Sequence, residues 1–211
     1  MLKCVIFDMD GTIADTLPLC IKSFKIAIET LSGEEVSDKQ ITDTFGPSEE
    51  GTISVFLPDK LEEGVNLYLD SYTRLHTIMC PKPFDGICEI FETIKKKGIK
   101  LALVTGKGIK SLQVTLKMFG MKDVFDAVEA GKPEGADKPQ AMKRVMQKIN
   151  LLPEECVYIG DTVSDIISAR SVSIPIISAA WAKGADMENL KKYNPDKICY
   201  KVTDLKRMLG L

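Results

Sequence analysis

Short apolar runs of strand length alternate along this chain with segments whose apolar residues recur at helical spacing. The runs are Leu2–Phe7, Lys100–Thr105, Val124–Ala130, Cys156–Ile159 and Ile174–Ser178, with a short edge strand at Lys197–Tyr200. Between them, Ile87, Ile90, Phe91 and Ile94 keep one helical face and Gly98 supplies a stop. Leu112, Leu116 and Phe119 do the same ahead of Gly120. Apolar strands alternating with amphipathic helices predict a parallel sheet covered by helices on both faces, an α/β doubly wound core.

One region breaks the rhythm. From Asp15 to Pro83 there is no strand-like run, only helical stripes: Leu17, Cys20, Ile21, Phe24, Ala27, Ile28 and Leu31, then Leu61, Val65, Tyr68, Tyr72 and Leu75. Ser37-Asp38-Lys39-Gln40 reads as a capping-box start for another helix. The expected organisation is a core of residues 1–14 and 84–211 with a helical domain, 15–83, inserted after the first strand. Ligands of doubly wound sheets bind at the strand carboxyl ends, where this insertion would sit as a lid.

Composition narrows the chemistry. The 211 residues suffice for one large domain, or one domain with a small insertion. Twenty-eight basic against 30 acidic residues give net −2, which argues against nucleic-acid binding; Lys95-Lys96-Lys97 and Lys191-Lys192 read as solvated helix ends. No run approaches the ~18 apolar residues of a membrane span. The first strand begins at once, without room for a signal peptide, and the six scattered cysteines read as mostly reduced core residues, so a cytoplasmic protein is expected. A single histidine, His76, read as a helix-end residue, leaves no basis for histidine triads or zinc clusters. Chemistry must run on carboxylates, lysines and hydroxyls.

Four stretches carry such groups. Phe7-Asp8-Met9-Asp10-Gly11-Thr12 leaves the first strand with two carboxylates at i and i+2, which share a face in extended chain. Thr105-Gly106-Lys107-Gly108 follows the second strand and opens a helix, an anion cradle of hydroxyl and free N–H groups. Lys138 lies beside Pro139 at a helix start. Gly160-Asp161-Thr162-Val163-Ser164-Asp165 sets Asp161 at a strand end and Asp165 one helical turn on. Taken singly, each is explained by a surface lysine, an N-cap or an ordinary turn. A parallel sheet gathers them at one edge, so Asp8, Asp10, Asp161 and Asp165 should converge. At an effective dielectric near 20, two like charges about 4 Å apart cost ~4 kcal/mol. Such a group calls for a cation, and an all-oxygen site suits Mg²⁺. With Lys138 and the Thr105 turn added, the coherent task is attack on a phosphoryl group.

These motifs, in this order, resemble those of the haloacid dehalogenase-like hydrolase superfamily: Asp8-x-Asp10-Gly11-Thr12, Thr105-Gly106, Lys138, and Gly160-Asp161-x-x-x-Asp165. The resemblance spans essentially the whole chain and implies a Rossmann-like core with a helical cap. It implies Asp8 as nucleophile, forming an aspartyl-phosphate, and Asp10 as acid then base. Thr105, Gly106 and Lys138 would bind the phosphoryl group. Mg²⁺ would be held by Asp8, the Asp10 carbonyl and Asp161, while Asp165 orients Lys138 or a metal-bound water. Two points depart from the pattern: Gly106 stands where the family commonly has Asn, and Lys132 in Gly131-Lys132-Pro133 competes with Lys138, the better-spaced of the two.

The resemblance also implies that a second acid at Asp10 disfavours dehalogenase and phosphonatase chemistry, since superfamily members of those two kinds lack an acid at that position. The expected activity is a Mg²⁺-dependent, phosphoglycolate-phosphatase-like hydrolysis of a small phosphorylated metabolite by a monomer or homodimer. The alternatives are a phosphomutase of the β-phosphoglucomutase type or a catalytically silent ligand-binding regulator. Gly46-Pro47-Ser48-Glu49-Glu50-Gly51 reads either as a plain helix connection with Ser48 as N-cap or as a turn pointing into the cleft. If it points inward, Glu49 or Glu50 would disfavour an anionic substrate tail.

Overall fold

The first apolar run forms β1 (Cys4–Phe7), at the centre of a six-stranded sheet in the computed structural model. The structure describes residues 1–135 and 137–211. The other strands are β2 (Lys100–Gly108), β3 (Ala127–Gly131), β4 (Cys156–Gly160), β5 (Ile176–Ala179) and β6 (Ile198–Cys199). Their order is β3-β2-β1-β4-β5-β6, and every pairing is parallel. The chain builds outward from β1 to β3 and then restarts on the other side at β4, so the switch point lies between β1 and β4.

Period-two geometry explains why the strands read as continuous apolar runs. Val5 and Phe7 face one cluster with Ile87, Phe91 and Leu112, while Cys4 and Ile6 face another with Met142, Val145 and Ile166. Phe7 meets Phe91 edge-to-face, ring centroids 5.0 Å apart. Helices cover both faces, as a parallel sheet requires.

Four helices lie between β1 and the core helix α5 (Ile87–Lys96): α1 (Leu17–Ser32), α2 (Asp38–Thr42), α3 (Glu49–Phe56) and α4 (Leu61–Met79). They share a hydrophobic cluster of their own, with Phe24, Ile28, Ile41, Ile53 and Tyr68 in its interior. Ser37 forms the expected capping box with Gln40 at the start of α2. The remaining helices are α6 (Ile109–Met118), α7 (Lys138–Ile149), α8 (Val163–Ser171), α9 (Met187–Tyr193) and α10 (Leu205–Leu209). Among the described residues no helix is long and apolar enough to cross a membrane.

Boundaries differ from the sequence pattern where tertiary contacts decide. β2 runs past Thr105 to Gly108, because Gly108 pairs with Gly131 beyond an irregularity in the ladder. β3 begins only at Ala127, since Asp126 turns its carboxylate back onto the Leu101 N–H. His76 lies in the last turn of α4, the helix-end position expected, and it is fully buried there.

Candidate active site

Asp8 follows β1 directly and continues its ladder, its N–H donating to the Ile159 carbonyl at 2.9 Å. The chain then turns sharply. The Met9 carbonyl accepts from the N–H groups of Thr12, Ile13 and Ala14, and Gly11 adopts φ 77°. A side chain at Gly11 would be strained by that φ, and its Cβ would fall 2.1 Å from the Asp161 carboxylate, so the turn and the approach of Asp161 both require glycine.

The turn separates the two carboxylates that extended geometry would have put on one face. Asp8 Oδ2 accepts from Lys138 Nζ at 2.7 Å, while Oδ1 accepts from the Met9 N–H at 2.8 Å. Asp10 points the other way, accepting from the Thr16 hydroxyl and, at 3.3 Å, from Lys107 Nζ. The expected convergence of four carboxylates is therefore one of three: Asp8, Asp161 and Asp165 offer oxygens within 4.8 Å of one another, all buried.

Asp161 ends β4, and the Thr12 hydroxyl donates to it at 3.2 Å. Asp165 is the third residue of α8 and closes a capping box with Thr162. Its two oxygens are occupied: Oδ1 accepts from Lys138 at 2.5 Å and from the Tyr158 hydroxyl, Oδ2 from the Thr162 N–H and hydroxyl. Lys138 opens α7, bonded to both Asp8 and Asp165. The Arg144 guanidinium fixes the preceding turn by bridging Asp137 and Glu129. Lys132 stands apart, half exposed and 3.5 Å from Asp137.

The electrostatics are one-sided. Burial pushes the Asp8 carboxyl up to about 6, with Lys138 pulling down and Asp165 pushing up. Burial, then Asp8 and Asp165, drive Asp161 well above the carboxylate range. Burial opposes the charge on Lys138, but Asp165 and Asp8 outweigh it and hold the pKa above the ordinary lysine value. Three buried carboxylates face one ammonium. Asp161 has few protein donors, so a hard cation with oxygen ligands fits this set.

Thr105 is buried near the end of β2, its hydroxyl accepting from the Lys107 N–H at 3.2 Å. A Cβ at Gly106 would meet only the Gly46 carbonyl, at 3.7 Å, so the missing Asn leaves room above the site. Asp8, Asp10, Thr105, Gly106, Lys138 and Asp161 all line one cavity of about 270 Å³.

The Gly46–Gly51 stretch borders that cavity through Gly46, Pro47 and Glu49. It is not all turn: α3 starts at Glu49, with Ser48 at the N-cap position but without a side-chain capping bond. Glu49 is buried and accepts from the Ser111 hydroxyl, whereas Glu50 turns back to Ser48.

Lys107 is the group that the sequence reading passed over. Its side chain is 1% exposed, and its ammonium reaches Asp10 at 3.3 Å, Cys20 Sγ at 3.1 Å and the Tyr72 ring at 4.4 Å from the centroid. The available signal was its i+2 spacing from Thr105 on one strand. Trp181 gave no comparable signal; its indole N–H donates to the Thr12 carbonyl at 2.9 Å and steadies the Asp8–Thr12 turn.

A parallel doubly wound core, a helical unit after β1 and this constellation at the switch point define a class, and the comparisons agree: residues 5–179 match the haloacid dehalogenase-like hydrolase family, to which the chain belongs. The pyrophosphatase PpaX of Halalkalibacterium halodurans is 27% identical over 100% of this chain and 98% of its own length. A haloacid dehalogenase-like hydrolase of Streptococcus pneumoniae superposes with a TM-score of 0.78 at 25% identity, covering 99% of this chain and 98% of that one. A predicted phosphoglycolate phosphatase from Haemophilus somnus shares the fold with a TM-score of 0.82 at 20% identity, with coverage of 99% and 98%.

Proposed function

We propose that this chain is a Mg²⁺-dependent phosphatase acting on a small phosphorylated metabolite through a phosphoryl group carried by Asp8. The observation that carries the reading is the division of labour in the Asp8–Thr12 turn: one carboxylate is held by Lys138 beside Asp161, the other is turned away toward Lys107 and the helical unit.

In this reading an Asp8 oxygen attacks phosphorus and the bond to the leaving oxygen breaks. Asp10, on the α1 side, gives that oxygen its proton; it then takes a proton from the water that attacks the phosphoryl group and frees Asp8. Lys138, with the Thr105 hydroxyl and the Gly106 N–H, offsets charge on the phosphoryl oxygens. Mg²⁺, held by Asp8, the Asp10 carbonyl and Asp161, would supply charge neutralisation for the carboxylates and the phosphoryl oxygens. Asp165 keeps Lys138 oriented. The α1–α4 unit acts as the cap over the strand ends.

The test is release of phosphate from p-nitrophenyl phosphate and a panel of phosphorylated metabolites, with and without Mg²⁺. Metal-dependent release that vanishes in Asp8→Asn is expected. No release from any member of the panel by folded protein, or full activity in Asp8→Asn, would overturn the reading.

A further inference from the structure

The cavity has a second end, away from Lys138, and its charges are arranged against an anion. Five residues give this end an apolar wall: Leu17, Phe24, Phe45, Pro47 and Tyr68. Its cation is Lys107, and an ammonium has three hydrogens to give. Asp10 takes one at 3.3 Å, Cys20 Sγ lies at 3.1 Å, and the Tyr72 face lies beneath the charge at 4.4 Å. No direction is left for a substrate oxygen. Beside it, Glu49 brings a carboxylate into the same wall, buried to 7% exposure and fixed by the Ser111 hydroxyl. Among the described residues lining this end, one lysine thus faces two carboxylates, Asp10 and Glu49.

Resting on the phosphatase reading above, we propose that Glu49 is a specificity-determining residue that closes the leaving-group end to a second anionic group. The substrate is then a phosphomonoester whose leaving alcohol is uncharged or cationic and presents an apolar face. A pyrophosphate leaving group, itself a phosphate, would meet Glu49 with no free donor from Lys107. Like charges brought together in this way select strongly against a ligand. The expected preference therefore differs from the activity named for the PpaX relative.

The experiment compares kcat/KM for two anionic-tailed substrates, pyrophosphate and 2-phosphoglycolate, with phenyl phosphate and phosphocholine, in wild type and Glu49→Gln. Glutamine keeps an acceptor for Ser111 and removes the charge. Wild type should favour the uncharged or cationic pair by about tenfold or more, and Glu49→Gln should raise the anionic pair by about tenfold, lower phosphocholine by about threefold or more, and leave phenyl phosphate within a factor of about two. A wild-type preference for pyrophosphate or 2-phosphoglycolate overturns the proposal and leaves the phosphatase reading standing. An equal effect of Glu49→Gln on all four substrates also overturns it. If the variant fails to fold, the wild-type ranking alone decides. Turnover of none of the four, alongside silence across the metabolite panel, removes both readings together.

Discussion

Two lysines line this cavity, and they are used in opposite ways. Lys138 binds Asp8 and Asp165 and lies beside a third buried carboxylate, Asp161, so its surroundings carry surplus negative charge and keep one donor direction open. Lys107 is enclosed by Asp10, Cys20 and Tyr72 and has nothing left to offer. In the proposed reading the first serves a phosphoryl group beside a cation held by the carboxylates, whereas the second holds Asp10 and joins α1 and α4 to β2. A lysine's place in a cavity wall is therefore no guide to its role; the free donors and the charge balance around it are.

The comparison can be broken at graded cost. Asp8→Asn removes the proposed nucleophile, and kcat should fall by about a thousandfold or more while the far-ultraviolet circular dichroism stays unchanged. Lys138→Met removes charge stabilisation at the phosphoryl group, with a loss in kcat of about a hundredfold or more. If it instead lowers only thermal stability, the two lysines are alike and the contrast is lost. Lys107→Met should show the reverse emphasis. It leaves Asp10 without its ammonium, so urea denaturation should register a loss of about 3 kcal/mol, with a smaller effect on kcat than Lys138→Met. Lys132→Ala, at an exposed ion pair, should change stability by less than about 0.5 kcal/mol and leave kcat unaltered.

Surplus charge around Lys138 also predicts a pH dependence for cation binding. Because burial raises the Asp8 carboxyl to about 6, protons compete with the metal below that pH, and affinity for Mg²⁺ should strengthen as pH rises through it. The single Trp181, bonded to the Thr12 carbonyl next to the site, provides a fluorescence readout independent of turnover. An affinity flat from pH 5 to pH 8 would contradict this balance.

Much of this was legible in the sequence because short-range rules sufficed. Continuous apolar runs announced a sheet buried on both faces, and Ser37-Asp38-Lys39-Gln40 announced the start of α2. The strand-end positions of Asp8 and Asp161 followed from the same runs. What stayed hidden depended on turns and on partners distant in the chain. The divergence of Asp8 from Asp10 is made by the Gly11 turn, which extended geometry does not describe. Lys107 looked like any lysine after a glycine, since Cys20 and Tyr72 reach it from two other helices. His76, bonded to Thr115 of α6 at 3.2 Å, is buried by the docking of α4 on the core, which its own helix could not reveal. Glu49 could be read as turn or lining, and only its packing against Ser111 separates it from Glu50.

The central claim is that Asp8 carries the phosphoryl group while Asp10 moves protons. It is tested most directly by acid-quenching the protein during turnover of a phosphomonoester with Mg²⁺ and mapping the modified peptide by mass spectrometry. The account predicts one added phosphoryl group on Asp8 and none in Asp8→Asn. Phosphate on another residue, or continued turnover by Asp8→Asn with no modified peptide, would contradict it.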